Sequence, residues 1–99
     1  MYGYGGKDEM WGQAGDDAMK GGNGDDRMYG GAGNDYMAGG SGEDDIYGND
    51  GDDSIYAGLG NDEIWAGAGD DSVYGSFGSD VIRGGQGDDI LLSGFNVNG

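Results

Sequence analysis

The chain has 99 residues, a formal net charge of -16 and 27 glycines, and it contains no proline, cysteine or histidine. This composition excludes a disulfide framework and, because an acidic chain repels phosphates, electrostatic binding to nucleic acid. Low hydrophobicity with high charge ordinarily reads as disorder, and the natural partner of such a chain is a cation.

An internal repeat changes that reading. Rows of nine from Gly3 give GYGGKDEMW, GQAGDDAMK, GGNGDDRMY, GGAGNDYMA, GGSGEDDIY, GNDGDDSIY, AGLGNDEIW, AGAGDDSVY, GSFGSDVIR and GGQGDDILL, ending at Leu92 without insertion or deletion. Column four is glycine and column six aspartate in every row; column eight is Met, Ile, Val or Leu. Ahead of the first row, Met1 and Tyr2 fit columns eight and nine of an incomplete row, so the chain reads as an excised or engineered fragment. MYGYGGKDEM lacks the basic-then-apolar layout of a signal peptide, and no apolar run approaches the length of a membrane span.

Each row predicts a glycine turn followed by a short strand over columns seven to nine, with column eight facing in and its neighbours facing out. In chain order the strands fall at 9–11, 18–20, 27–29, 36–38, 45–47, 54–56, 63–65, 72–74, 81–83 and 90–92. Glycine at columns one, two and four permits positive φ and leaves main-chain carbonyls unshielded. Column two departs from glycine at Tyr4, Gln13, Asn49 and Ser76, and column one at Ala57 and Ala66. Strain or a displaced ion is expected there, above all in the first row and in the row at Gly48. The last seven residues, SGFNVNG, read as a decayed eleventh row, with Asn96 in the place of glycine and Asn98 in that of aspartate. They form either a frayed tail or a cap in which Phe95 covers the last turn. The whole chain, 1–99, is expected to be a single domain.

Carbonyl and carboxylate oxygens without His or Cys select a hard cation, and Ca²⁺ accepts irregular oxygen cages better than Mg²⁺. About ten inward side chains are too few to offset the ordering of so glycine-rich a backbone and the repulsion between stacked aspartates. The bare chain should therefore stay unfolded until a cation binds.

GGNGDDRMY, GGAGNDYMA, GGSGEDDIY and GGQGDDILL resemble the GGxGxDxUx nonapeptide of RTX (repeats-in-toxin) proteins, and the likeness spans residues 3–92. The resemblance implies an all-β, right-handed parallel β-roll (a β-solenoid) with two nonapeptides per turn and about five turns. Calcium would then sit between successive turns on each edge. Asp8, Asp26, Asp44, Asp62 and Asp80 would line one edge, and Asp17, Asp35, Asp53, Asp71 and Asp89 the other. Gly24, Gly33, Gly42, Gly51, Gly60, Gly69, Gly78 and Gly87 would stand beside them in the loops. With about four gaps on each edge the roll would take about eight Ca²⁺, whose +16 matches the formal charge of -16. The resemblance also implies a setting in the C-terminal part of a type I secreted protein, unfolded in calcium-poor cytosol and folded outside the cell.

Stacking would place Trp11, Tyr29, Tyr47 and Trp65 in an aromatic ladder about 4.8 Å per rung, read either as cross-strand packing or as a surface for a partner, a glycan or another copy. An ice-binding face is not expected without threonine. Met10, Met19, Met28 and Met37 occupy column eight and read as core filler. Asp pairs such as Asp16–Asp17 and Asp88–Asp89 recur in most rows, unlike a singular active site, so no enzyme is expected. Neither GxGxxG nor GxxxxGK[ST] occurs. Open strand edges at the two ends predict end-to-end association of the calcium-bound form.

Overall fold

The computed structural model describes residues 2–92, and every element among them is a strand. The strands are β1 (Glu9–Trp11), β2 (Ala18–Asn23), β3 (Arg27–Ala32), β4 (Tyr36–Ser41), β5 (Asp45–Asp50), β6 (Ser54–Leu59), β7 (Glu63–Trp65), β8 (Ser72–Tyr74), β9 (Val81–Arg83) and β10 (Ile90–Leu92). Odd strands form one parallel sheet in the order β1-β3-β5-β7-β9, and even strands a second in the order β10-β8-β6-β4-β2. Every register step joins equivalent columns two rows apart, as in Met10↔Met28, Met28↔Ile46 and Ile46↔Ile64. Two nonapeptides thus make one turn, and the chain winds into a parallel β-solenoid of about five turns.

The local cause is the alternation of glycine turn and three-residue strand. Column-two and column-four residues adopt positive φ, as in Gly40 (97°) and Gly42 (115°), which swings the chain from one sheet to the other. Column eight then points between the sheets. Met19, Met28, Met37, Ile46, Ile55, Ile64 and Val73 are fully buried, and Met10 nearly so. The smallest principal extent is 13 Å, as expected for two sheets about 10 Å apart with one layer of side chains from each. At the last described turn the core opens: Ile82 is partly buried, and Leu91, in register with the buried Val73, is 43% exposed, so column eight is in place there but not covered. The positions expected as a terminal cap (Phe95, Asn96, Asn98), and Met1, lie outside the described residues.

The strands are longer than expected. β2 to β6 each run six residues, through columns seven to nine and on through columns one to three of the following row. Side-chain alternation continues with them, so column one is a second inward column: Gly21, Gly30, Gly39 and Gly48 are buried, as are Ala57 and Ala66. Glycine carries no apolar side chain to mark a core position, and the two alanines were its only visible sign.

Candidate metal centre

The loops at columns four to six project along the two edges of the solenoid. Parallel stacking brings the column-six aspartates into two files, Asp8 to Asp80 on the odd edge and Asp17 to Asp89 on the even edge. Within each file the two oxygens of a carboxylate do different things. Oδ1 accepts the main-chain N–H of the aspartate one turn earlier: Asp8 donates to Asp26, Asp26 to Asp44, Asp44 to Asp62 and Asp62 to Asp80, at 2.8–3.0 Å. The even edge repeats this from Asp17 to Asp35, Asp53, Asp71 and Asp89. Oδ2 of Asp8, Asp17, Asp26, Asp35, Asp44, Asp53, Asp62, Asp71 and Asp80 is buried and has no hydrogen-bond partner.

The surroundings of Oδ2 can be read from the glycines. A Cβ added to Gly21 would stand 2.5 Å from Asp26 Oδ2 and 2.6 Å from the Gly39 carbonyl of the next turn. Gly30 holds the same relation to Asp35 and Gly48, and Gly39 to Asp44 and Ala57. The orphaned oxygen and a main-chain carbonyl therefore face one small space between turns. Ala57 and Ala66 carry a methyl at the equivalent position.

Column four adds further carbonyls. A Cβ on Gly24 would collide with the Gly6 carbonyl, on Gly42 with Gly24, on Gly60 with Gly42 and on Gly78 with Gly60. On the other edge Gly33 faces Gly15, Gly51 faces Gly33, Gly69 faces Gly51 and Gly87 faces Gly69. Each column-four carbonyl thus aims at the loop one turn on, and glycine there is what lets it approach. Gly6 and Gly15, absent from the predicted site, belong to this set; the glycine column in the first two rows was the signal that could have found them.

Burial governs the electrostatics. Loss of solvent pushes Asp44 and Asp53 up to about 7, Asp62 to about 8 and Asp71 to about 6, and raises Asp26, Asp35 and Asp80. The main-chain hydrogen bond to Oδ1 opposes this rise. Neighbouring carboxylates, such as Asp26 beside Asp44, add to it.

Buried carboxylate oxygens without partners are costly, and a bound cation removes the cost. Among the described residues, no three acidic side chains converge on one point. Each gap pairs a buried carboxylate oxygen with main-chain carbonyls, a hard, all-oxygen donor set that suits Ca²⁺ and offers nothing to a thiophilic metal.

The four non-glycine residues of column two keep the turn. Tyr4, Gln13 and Asn49 sit at φ 72° and Ser76 at 69°, against 81–97° for the column-two glycines. A side chain there moves φ toward the ordinary left-handed minimum and the loop is retained.

The aromatic ladder forms on the odd sheet. Ring centroids are 5.5 Å apart for Trp11–Tyr29, 4.9 Å for Tyr29–Tyr47 and 4.6 Å for Tyr47–Trp65, with planes within 8° of parallel. Arg83 lies over the far side of Trp65 at 4.8 Å. Glu9 and Asp45 flank Arg27, and Glu63 pairs with Arg83, at 3.7–3.9 Å.

Four overlapping matches to the family model described as RTX calcium-binding nonapeptide repeat (4 copies) cover residues 2–37, 29–64, 38–73 and 65–96. Neither the curated proteins nor the solved structures offer a match. Repeat spacing, solenoid and loop chemistry agree with that model, and the chain belongs to the family of RTX calcium-binding nonapeptide repeats.

Proposed function

We propose that the chain is a calcium-driven folding module: it is unfolded without the ion and closes into the β-roll when Ca²⁺ fills the gaps between turns. The observation that carries this reading is the set of nine buried Oδ2 atoms without partners, in two files. They are buried, so a calcium-free roll would retain several buried anions in two like-charged files. The column-six aspartates supply the carboxylates, and the column-four glycines with their neighbours supply the carbonyls. One ion per gap between described turns gives about eight ions, since each edge joins five rows through four gaps. A dissociation constant of about 10⁻⁴–10⁻³ M would suit an extracellular setting, such as that of a type I secreted protein. No catalytic step is assigned to the module, and residues 1–99 act as one cooperative unit.

Circular dichroism during a calcium titration tests this. With excess chelator the far-UV spectrum should be that of an unfolded chain. Millimolar Ca²⁺ should convert it cooperatively to β structure, and Mg²⁺ should substitute poorly. A β-rich spectrum in excess chelator at neutral pH would sink the proposal.

A second reading is an interaction solenoid that binds a partner through Trp11, Tyr29, Tyr47 and Trp65, or associates end to end. In its favour, Trp11 is 52% exposed and its outer ring face is not part of the stack. The other ring faces are turned to each other or, on the far side of Trp65, covered by Arg83, so the ladder offers poor stacking for a sugar. Sedimentation with and without calcium separates the two readings.

A further inference from the structure

Column five is the variable fifth position of the GGxGxDxUx pattern, yet on one edge it ties every turn to the next. The main-chain N–H of Asn34 donates to Asp16 Oδ1 at 2.8 Å, and that of Asp52 to Asn34 Oδ1 at 2.8 Å. Asp70 donates to Asp52 at 2.8 Å and Asp88 to Asp70 at 2.9 Å. Each bond spans 18 residues, so the even edge has an unbroken file of five Asp or Asn side chains.

The odd edge is interrupted. Asp25 accepts from Glu43 N–H at 2.8 Å and Asn61 from Ser79 N–H at 2.9 Å. The other two places are held by Lys7 and Glu43. Lysine has no acceptor. Glutamate is one methylene longer than aspartate, and no hydrogen bond joins the Glu43 carboxylate to Asn61 N–H among the described residues.

Columns five and six reach in opposite directions along the solenoid. Asp16 reaches forward to the N–H of Asn34, and Asp35 reaches back to the N–H of Asp17. The space holding the orphaned Asp17 Oδ2 is therefore closed by two hydrogen bonds on adjacent residues. All four even gaps are tied twice in this way. On the odd edge two gaps are tied twice, Asp26–Asp44 and Asp62–Asp80. The gaps at Asp8–Asp26 and Asp44–Asp62 are tied once, through column six alone. A cleft of about 380 Å³ runs along the first three odd loops, with Lys7, Asp8, Asp25, Asp26 and Glu43 in its wall.

We infer that column five is a positioning residue for the cation sites: Asp or Asn there makes a gap rigid, and Lys7 and Glu43 mark the two gaps that release their ions first. A loop held in place before the ion arrives loses less freedom on binding and opens less often afterwards. The odd edge then acts as the labile edge and the even edge as the retentive one. Lys7 adds a second effect, since its ammonium repels a cation at Asp8–Asp26.

The inference rests on the calcium reading above, and the test keeps the two apart. The calcium-loaded full chain is mixed with a fluorescent chelator in a stopped-flow instrument. Two of the ions should leave about two- to tenfold faster than the rest, the span expected for one hydrogen bond. The double variant Lys7→Asn with Glu43→Asn supplies the missing acceptors and should move both ions into the slow phase. Lys7→Met with Glu43→Gln removes the same charges without a fitting acceptor and should leave the fast phase in place. On the even edge, Asn34→Ala should create a new fast ion, and Asn34→Asp should behave as the parent. Release in one uniform phase, a fast phase untouched by the double Asn variant, or Asn34→Asp behaving like Asn34→Ala would overturn the role of column five. In each of these cases calcium-driven folding would still stand. A chain that takes up no calcium would overturn both readings.

Discussion

Asp26 N–H donates to Asp44 Oδ1 at 2.9 Å, while Oδ2 of the same Asp44 carboxylate is buried without a partner. One side chain thus ties its turn to the turn before with one oxygen and presents the other to the space it shares with the Ala57 carbonyl of the turn after. The hydrogen bond and the proposed cation site can be separated by mutation because they use different atoms.

Asp44→Asn keeps an oxygen for the Asp26 N–H and replaces the charged carboxylate by a neutral amide. Asp44→Ala removes both functions. At saturating calcium, Asp44→Ala should destabilise the roll by about 1–3 kcal/mol more than Asp44→Asn, because a buried N–H is left unsatisfied. Both variants should bind one ion fewer than the parent. Asp89→Ala, at the last described turn and with an Oδ2 outside the buried orphan set, should cost least. Urea unfolding at fixed calcium, with calorimetric ion counts, measures all three; equal losses at Asp44 and Asp89 would contradict an ordered stack.

The raised aspartates define a pH window. Asp44 and Asp53 at about 7, Asp62 at about 8 and Asp71 at about 6 hold protons in the calcium-free roll that the unfolded chain, near 3.8, has already released. Between those values the folded state binds more protons, so its stability falls as pH rises. The contribution is complete below about 4 and lost as pH passes through 6–8. In metal-depleted buffer the chain should therefore gain β structure when pH is lowered from 8 to about 4.5. With calcium the sign reverses, because protons compete for the same oxygens, and the calcium midpoint should rise on acidification. Far-UV dichroism against pH, with and without calcium, checks both directions; a calcium-free chain that stays unfolded at every pH would refute the first.

Tyr47 is the central rung of the ladder, 4.9 Å from Tyr29 and 4.6 Å from Trp65. Tyr47→Ala breaks two stacked pairs, each contributing about 0.5–1.5 kcal/mol, so a loss of about 1–3 kcal/mol is expected at saturating calcium. The ion pairs on the same face are exposed and should contribute less: Arg27→Ala is expected to cost under about 1 kcal/mol beyond its packing. Thermal unfolding of both variants ranks them, and a Tyr47→Ala protein as stable as the parent would leave the ladder without a structural role.

Much of this molecule was legible along the chain. Apolar column eight announced the core from Met10 to Val73, the glycine columns announced the loops, and column six announced the two files of carboxylates, because each repeats at a strict nine-residue period. The aromatic ladder followed once two rows were assigned to a turn, an assignment supplied by the family resemblance. What only the tertiary structure decided lies across the turn, between atoms 18 residues apart. Gly21 and Gly30 are core positions because the strand alternates past column nine, and glycine carries no side chain to show it. Leu91 shares the apolar mark of column eight and is exposed, because burial depends on a neighbouring turn and not on residue type. Asp44 divides its two oxygens between a hydrogen bond and a gap, and Asn34 with Asp52 turns a variable position into a continuous tie. Periodicity specifies which residues recur; which atom of each meets the next turn is set by the direction of its side chain along the solenoid axis, and that direction exists only once the turns are stacked.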